Sequence, residues 1–154
     1  MKVSIFITLI LLSAACMLIA QEIPKEVEQK IREIYARKYP DDYSMQNVLI
    51  DSQLKSYRKL SIWKNEGGMP TETFKALKAK YERKYPYDFS MQETLVESQI
   101  ESFHNLVNLR KVEGVPDEVL MKLKRKYYQK YPDDFSMQET LINSQIEDYL
   151  ELHK

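Results

Sequence analysis

Lys84-Tyr85-Pro86-Tyr87-Asp88-Phe89-Ser90-Met91-Gln92-Glu93, followed by Gln99, is the stretch on which the fold turns. A proline restricts the residue before it and cannot continue a helix, so Tyr85-Pro86 ends one helix. Ser90 with Glu93 three residues on has the form of a capping box, so Ser90-Met91-Gln92-Glu93 opens another. The stretch is therefore a corner between two antiparallel helices. It occurs three times: Tyr39-Pro40, Tyr85-Pro86 and Tyr131-Pro132 lie 46 residues apart, as do Gln53, Gln99 and Gln145. Asp42, Asp88 and Asp134, with Ser44, Ser90 and Ser136, keep the same spacing. In the first copy Asn47 stands where the later copies carry glutamate.

Working outward, Ile23-Pro24, Met69-Pro70 and Val115-Pro116 open three units, and Gly68 and Gly114 close the first two. The units run 23–68, 69–114 and 115–154. Proline suits an early helical position, and Glu26, Glu72 and Glu118 suit the positive first turn. Val27, Ile31, Ile34 and Tyr35 mark a stripe at helical spacing, repeated as Phe74, Leu77 and Tyr81 and as Val119, Leu120, Leu123 and Tyr127. Each second helix carries a broad apolar face, in the first unit Met45, Leu49, Ile50, Gln53, Leu54, Tyr57 and Leu60. Tyr43, Phe89 and Phe135 stand where a hydrophobic staple would pack onto the new helix. No run outside the leader sustains strand alternation. The expectation is an all-α chain of three tandem helical hairpins, forming a six-helix solenoid-like array or a closed bundle.

The corner string resembles a short helical module of bacterial secreted and envelope proteins of uncharacterised role, in which an aromatic-Pro-x-Asp-aromatic-x-Met-Gln run precedes a Gln. The resemblance covers the three units and none of the leader. It implies origin and fold, and no activity.

Residues 1–20 read as a signal peptide: Lys2, an apolar stretch from Val3 to Leu12, then Ser13-Ala14-Ala15. Cleavage after Ala20 leaves Gln21 at the start of a 21–154 helical domain, and cleavage after Ala15 fits the small-x-small rule better. Two alternatives stay open: acylation of Cys16, and an uncleaved leader acting as a membrane tether. The expected address is secreted or periplasmic. Cys16 is the only cysteine, so no internal disulfide forms.

The 154 residues carry 23 basic and 23 acidic side chains, and this balance argues against nucleic acid as partner. Three glycines are too few for a phosphate-cradling fold, and no cofactor is expected. At the corner, Tyr39, Asp42, Ser44, Gln46 and Gln53 invite a catalytic guess. Nucleophilic serine needs an oriented base, and neither His104 nor His153 sits at a repeated position, so no catalytic residue is assigned. Asp41-Asp42 and Asp133-Asp134 could offer hard oxygens, but Tyr87 breaks the pair in the second unit and no glycine supports a calcium loop, so no metal site is assigned.

Gln53, Gln99 and Gln145 fall on apolar faces, where a buried amide needs partners, and a structural clamp between corner and helix is the expectation. Pro40, Asp42, Ser44, Pro86, Asp88, Ser90, Pro132, Asp134 and Ser136 are read as structural. The candidate binding surface is aromatic: Tyr35, Tyr39, Trp63, Tyr81, Tyr85, Tyr87, Tyr127, Tyr128 and Tyr131. Tyr87 and Tyr128 are expected to be exposed, because their counterparts are Asp41 and Asp133 in one case and Ala36 and Glu82 in the other. The first helices over 75–83 and 122–130 are basic and the second helices acidic, which gives solvated faces or head-to-tail association. Together these features suggest a non-catalytic protein binding another protein or an extracellular or cell-wall ligand, with self-association through the terminal repeat as one route. An envelope-associated structural lipoprotein, or a small hydrolytic enzyme with its site between units, are the alternatives.

Overall fold

The computed structural model describes residues 22–65 and 68–154; the leader, Cys16 and both cleavage positions lie outside the described residues. The fold is all-α, and the described residues form six helices: α1 (Lys25–Lys38), α2 (Tyr43–Ile62), α3 (Thr71–Lys84), α4 (Phe89–Asn108), α5 (Asp117–Lys130) and α6 (Phe135–Leu152). Lys25, Thr71 and Asp117 open the shorter helices and Tyr43, Phe89 and Phe135 the longer ones, each series at a spacing of 46 residues. The described residues contain no strand, only an isolated bridge between Val112 and Val115 at the turn before α5.

Each shorter helix packs on the longer helix that follows it, α1 on α2, α3 on α4 and α5 on α6. The longer helices pack in sequence order, α2 on α4 and α4 on α6. Among the described elements α2 does not meet α6, and α1, α3 and α5 do not meet one another. The hairpins therefore stack in sequence order, the longer helices forming a continuous row.

The core follows this layout. Ile31, Val96 and Ile142 are the most deeply buried side chains. Ile31, Ile50 and Leu54 form one cluster in the first hairpin, with Phe89 of the second hairpin packed against it. A longer cluster runs from Met69 and Phe74 through Val96 and Leu106 to Leu120, Phe135 and Ile146, so the second and third hairpins share one core. Burial of such side chains contributes roughly 1.5 to 3 kcal/mol each.

Helix ends explain the corners. Pro24, Pro70 and Pro116 stand just before their helices, one place earlier than a first helical turn would put them, and Pro24 O accepts from Val27 N at 2.9 Å. Tyr39, Tyr85 and Tyr131 close the shorter helices, each N–H donating to the carbonyl four residues back at 2.9 Å. The caps of the longer helices are Asp42, Asp88 and Asp134, whose Oδ1 atoms accept from Met45, Met91 and Met137 N at 2.9, 3.2 and 3.2 Å. This corrects the serine capping boxes. The helices begin two residues before a serine cap would allow, because the aspartate carboxylate already takes the third amide and leaves the serines inside the first turn.

Two further expectations change. Met45, Met91 and Met137 are each 42% exposed and lie off the apolar face. Phe89 and Phe135 are not staples onto their own helices; they pack edge-on against Tyr57 and Phe103 of the preceding hairpin, with ring centroids 5.0 and 5.3 Å apart. Gly68 and Gly114 end the inter-hairpin turns with φ of 67° and 79°, a region open to glycine.

Candidate functional site: the junctions between hairpins

The polar residues of the corner are spent on joining one hairpin to the next. Gln53, on α2 and 4% exposed, donates from Nε2 to Tyr35 Oη at 2.9 Å within its own hairpin. The same amide reaches Asp88 Oδ1 at 3.1 Å, and its Oε1 accepts from Ser90 N at 3.1 Å, both in the following hairpin. Gln99 repeats the arrangement, donating to Asp134 Oδ1 at 2.9 Å and accepting from Phe135 N at 2.7 Å. The clamp is thus real in geometry but reaches forward to the next corner, where the sequence suggested its own. Gln145 has no described hairpin ahead of it, is only partly buried, and donates to Asp148 Oδ2 at 3.0 Å on its own helix.

The serines follow the same logic. Ser90 Oγ lies 3.1 Å from Ser52 Oγ, and Ser136 Oγ lies 3.1 Å from Ser98 Oγ and 3.2 Å from Ser102 Oγ. Ser90 and Ser136, expected to cap their helices, are thus committed to the hairpin before them, while Ser44 of the first corner is exposed. Glu93 likewise does not reach back to a cap. It pairs with Lys59 of α2 at 2.6 Å, and Lys59 also bridges Glu97. These hydrogen bonds hold the Lys59 ammonium above its ordinary pKa. Burial pushes the Glu93 carboxyl up, but the hydrogen bonds from Lys59 and Ser56 outweigh it and leave Glu93 below its ordinary value. In the next junction Asn105 Nδ2 donates to Glu139 Oε1 at 2.7 Å.

A second tie lies at the other end of the longer helices. Lys78 of α3 donates from Nζ to Leu60 O at 2.6 Å, and Lys124 of α5 donates to Leu106 O at 2.6 Å and Leu109 O at 3.0 Å. Carbonyls at a helix C-terminus lack intrahelical partners, and a cation there is favoured by the helix dipole. Burial lowers the pKa of both lysines. Read from sequence, both belonged to solvated basic faces; only their equivalence at the 46-residue spacing hinted otherwise.

Each junction leaves a groove. The first, of about 220 Å³, lies between α2, α3 and α4 and is lined by Tyr57, Leu60, Ser61, Lys78, Glu82, Phe89, Gln92 and Val96. The second, of about 380 Å³, lies between α4, α5 and α6 and has Phe103, Leu106, Val107, Lys124, Tyr128, Phe135, Gln138 and Ile142 in the equivalent places, with Arg125 added. Four lining positions differ between them: Tyr57 becomes Phe103, Ser61 becomes Val107, Glu82 becomes Tyr128 and Val96 becomes Ile142, and the exchanges of Ser61 and Glu82 change the lip from polar to apolar. Val107 is 51% and Tyr128 61% exposed, so the second groove opens through an apolar lip. Its volume falls in the range of small-molecule and side-chain sites, and the first lies below it.

The candidate aromatic surface divides sharply. Tyr81 and Tyr127 are buried, and burial, with the Asp134 charge, raises the Tyr81 phenol while a hydrogen bond with Gln99 opposes the shift. Tyr35 and Tyr39, and Tyr81 and Tyr85, stack in pairs with centroids 6.5 and 6.4 Å apart, and Tyr131 is half-buried. Trp63 is half-buried edge-on to Phe74. Only Tyr87 and Tyr128 of the nine lie open, and Tyr87 takes a positive φ of 64° at the corner. The structure thus separates the aromatic row and brings one member, Tyr128, to a groove.

His153 stacks on Tyr149 with centroids 4.0 Å apart, and His104 sits tilted beside Phe103 at 6.0 Å. Among the described residues no three His, Cys, Asp or Glu side chains gather as a metal site, and no helix is long and apolar enough to cross a membrane. Set against known proteins, the chain matches no family model, no curated protein and no solved structure.

Proposed function

We propose that the protein is a non-catalytic binding module working outside the cytoplasm, and that its groove between α4, α5 and α6 receives an apolar or aromatic side chain of a protein partner. The signal-peptide pattern of residues 1–20 supports the address. The observation that carries the binding role is the exchange of Ser61 and Glu82 for Val107 and Tyr128 at the lip of the second of two grooves in equivalent places. An open valine and tyrosine above a floor of Phe103, Leu106 and Ile142 form an apolar site that water fills poorly and a partner side chain fills well. The exposed Arg125 at the rim favours a partner with an acidic residue beside its anchor.

The test is panning of a displayed peptide library on the protein, with counter-selection on the Val107→Asp variant. Peptides with an aromatic or leucine anchor next to Asp or Glu should be enriched. Their binding should fall about tenfold or more in Val107→Asp, because a carboxylate is forced into an apolar site. Ser61→Asp should bind as wild type. Failure to enrich any peptide that distinguishes Val107→Asp from wild type refutes the proposal.

A further inference from the structure

We infer that the protein assembles head to tail with a second copy of itself, the outer face of α6 in one copy taking the corner before α2 in the next. This goes beyond the groove proposal and is independent of it. The inner junctions define what such a contact requires, because the chain makes it twice. Each junction needs a serine, a glutamine, an aromatic ring and a leucine on the leading helix, and an aspartate, an aromatic and a serine on the receiving corner. The leading helix supplies Ser52, Gln53, Tyr57 and Leu60, then Ser98, Gln99, Phe103 and Leu106. At the described end of the array α6 carries Ser144, Gln145, Tyr149 and Leu152 at the same spacing. At its start the corner carries Asp42, Tyr43 and Ser44, in the places of Asp88, Phe89, Ser90 and of Asp134, Phe135, Ser136.

Exposure shows both faces waiting for a partner. Leu60 and Leu106 are each 8% exposed inside the array, whereas Leu152 is 82% exposed. Phe135 is 7% exposed and Phe89 is half-buried, whereas Tyr43 is 72% exposed. Leucine and tyrosine left this open at positions that are covered inside the array make an apolar face with a defined complement.

The polar pairing is complementary at the ends even where residues differ. Inside the array Lys59 or Asn105 donates to Glu93 or Glu139. At the ends the leading position is Glu151 and the receiving one is Asn47, so donor and acceptor exchange sides and the pair survives. Asp42 keeps a free acceptor capacity beyond its cap to Met45 N, as Asp88 and Asp134 use theirs for Gln53 and Gln99. Tyr149, on which His153 stacks, holds the place of Tyr57 and Phe103, the rings that Phe89 and Phe135 meet edge-on inside the array. Asp51 would stand near Glu151, in the place where Glu97 meets Lys59, so one like-charged pair weakens the contact and association should tighten as salt screens it. Because the two faces differ, the contact is heterologous and continues from copy to copy until a ring closes.

The experiment is a register-specific disulfide trap in full-length protein carrying Cys16→Ser. Ser98 and Ser136 Oγ lie 3.1 Å apart at an inner junction, so Ser44→Cys in one copy and Ser144→Cys in another should be within bonding reach. Mild oxidation of the mixed single variants should give a covalent dimer, and the double variant a ladder of multimers. Either single variant alone should give little. Sedimentation should show mass rising with concentration in wild type, and Tyr43→Glu should raise the dissociation constant about tenfold or more. Dimers formed equally by Ser144→Cys alone, no mixed dimer, or a wild type that stays monomeric to millimolar concentration would each overturn the inference. Circular dichroism matching wild type in every variant keeps a negative result from being a folding defect.

Discussion

Replacing Gln99 with leucine separates a clamp between hairpins from an amide that merely occupies an apolar face. In the structure Gln99 is 4% exposed and makes a hydrogen bond to the Asp134 carboxylate at 2.9 Å and one from Phe135 N at 2.7 Å. A bond to a charged group contributes about 1.5 to 3 kcal/mol, and a buried amide left unpaired costs about 1 to 3 kcal/mol. Asp134 keeps the Met137 amide, so its carboxylate is not stranded. Leucine returns about 1 kcal/mol through its apolar surface. The net loss is about 1.5 to 5 kcal/mol, or about 5 to 15 °C in melting temperature at about 3 °C per kcal/mol for a chain of this size. Gln145→Leu is the matched control. It makes the same change of helix propensity in the same register, but removes only a hydrogen bond to Asp148 within α6, and should cost less than about 0.5 kcal/mol. Urea unfolding followed by circular dichroism at micromolar concentration reads both. Equal losses in the two variants, or a rise in stability for Gln99→Leu, would refute the clamp.

Other expectations follow from neighbouring contacts. The folded Glu93 carboxyl lies below its ordinary 4.5. Its contribution is therefore present above pH 4.5 and is lost as the pH falls through the folded value, and Glu93→Gln should flatten that part of the acid limb. Because Lys59 is nearly half exposed, the effect stays below about 1 kcal/mol and shrinks with salt. Gly114→Ala should destabilise more than Gly68→Ala, as measured by urea midpoint. Both place a side chain at positive φ, costing about 1 kcal/mol, but at Gly114 the new Cβ would stand 2.8 Å from Leu150 Cδ2, whereas nothing lies within 4 Å at Gly68. Asp88→Ala should cost more than Asp42→Ala, which loses a cap of about 1 kcal/mol and no clamp.

The helices and their order were legible because local rules set them. Tyr-Pro stops each shorter helix wherever it occurs, and the 46-residue spacing carries one hairpin's reading to the others. What escaped the sequence was contact between hairpins. Ser90 looks like a cap because a capping box is a local pattern, yet its hydroxyl faces Ser52, 38 residues away. Asp88 could be read as a turn residue, but its second role as acceptor for Gln53 depends on how α2 and α4 lie together. Lys78 and Lys124 illustrate the same limit. A lysine in a basic run has no local mark that distinguishes solvent from the carbonyl end of a neighbouring helix. The groove escaped for the further reason that it is built from differences: Val107 and Tyr128 matter because Ser61 and Glu82 stand in their places one hairpin earlier.

The central claim, that the second groove is the binding site, is tested most directly by methyl resonance mapping with a panned peptide. Val107, Leu106 and Ile142 methyls should shift on titration, while Leu60 and Val96 in the first groove should not. Shifts of equal size in both grooves, or shifts confined to the outer face of α6, would contradict it.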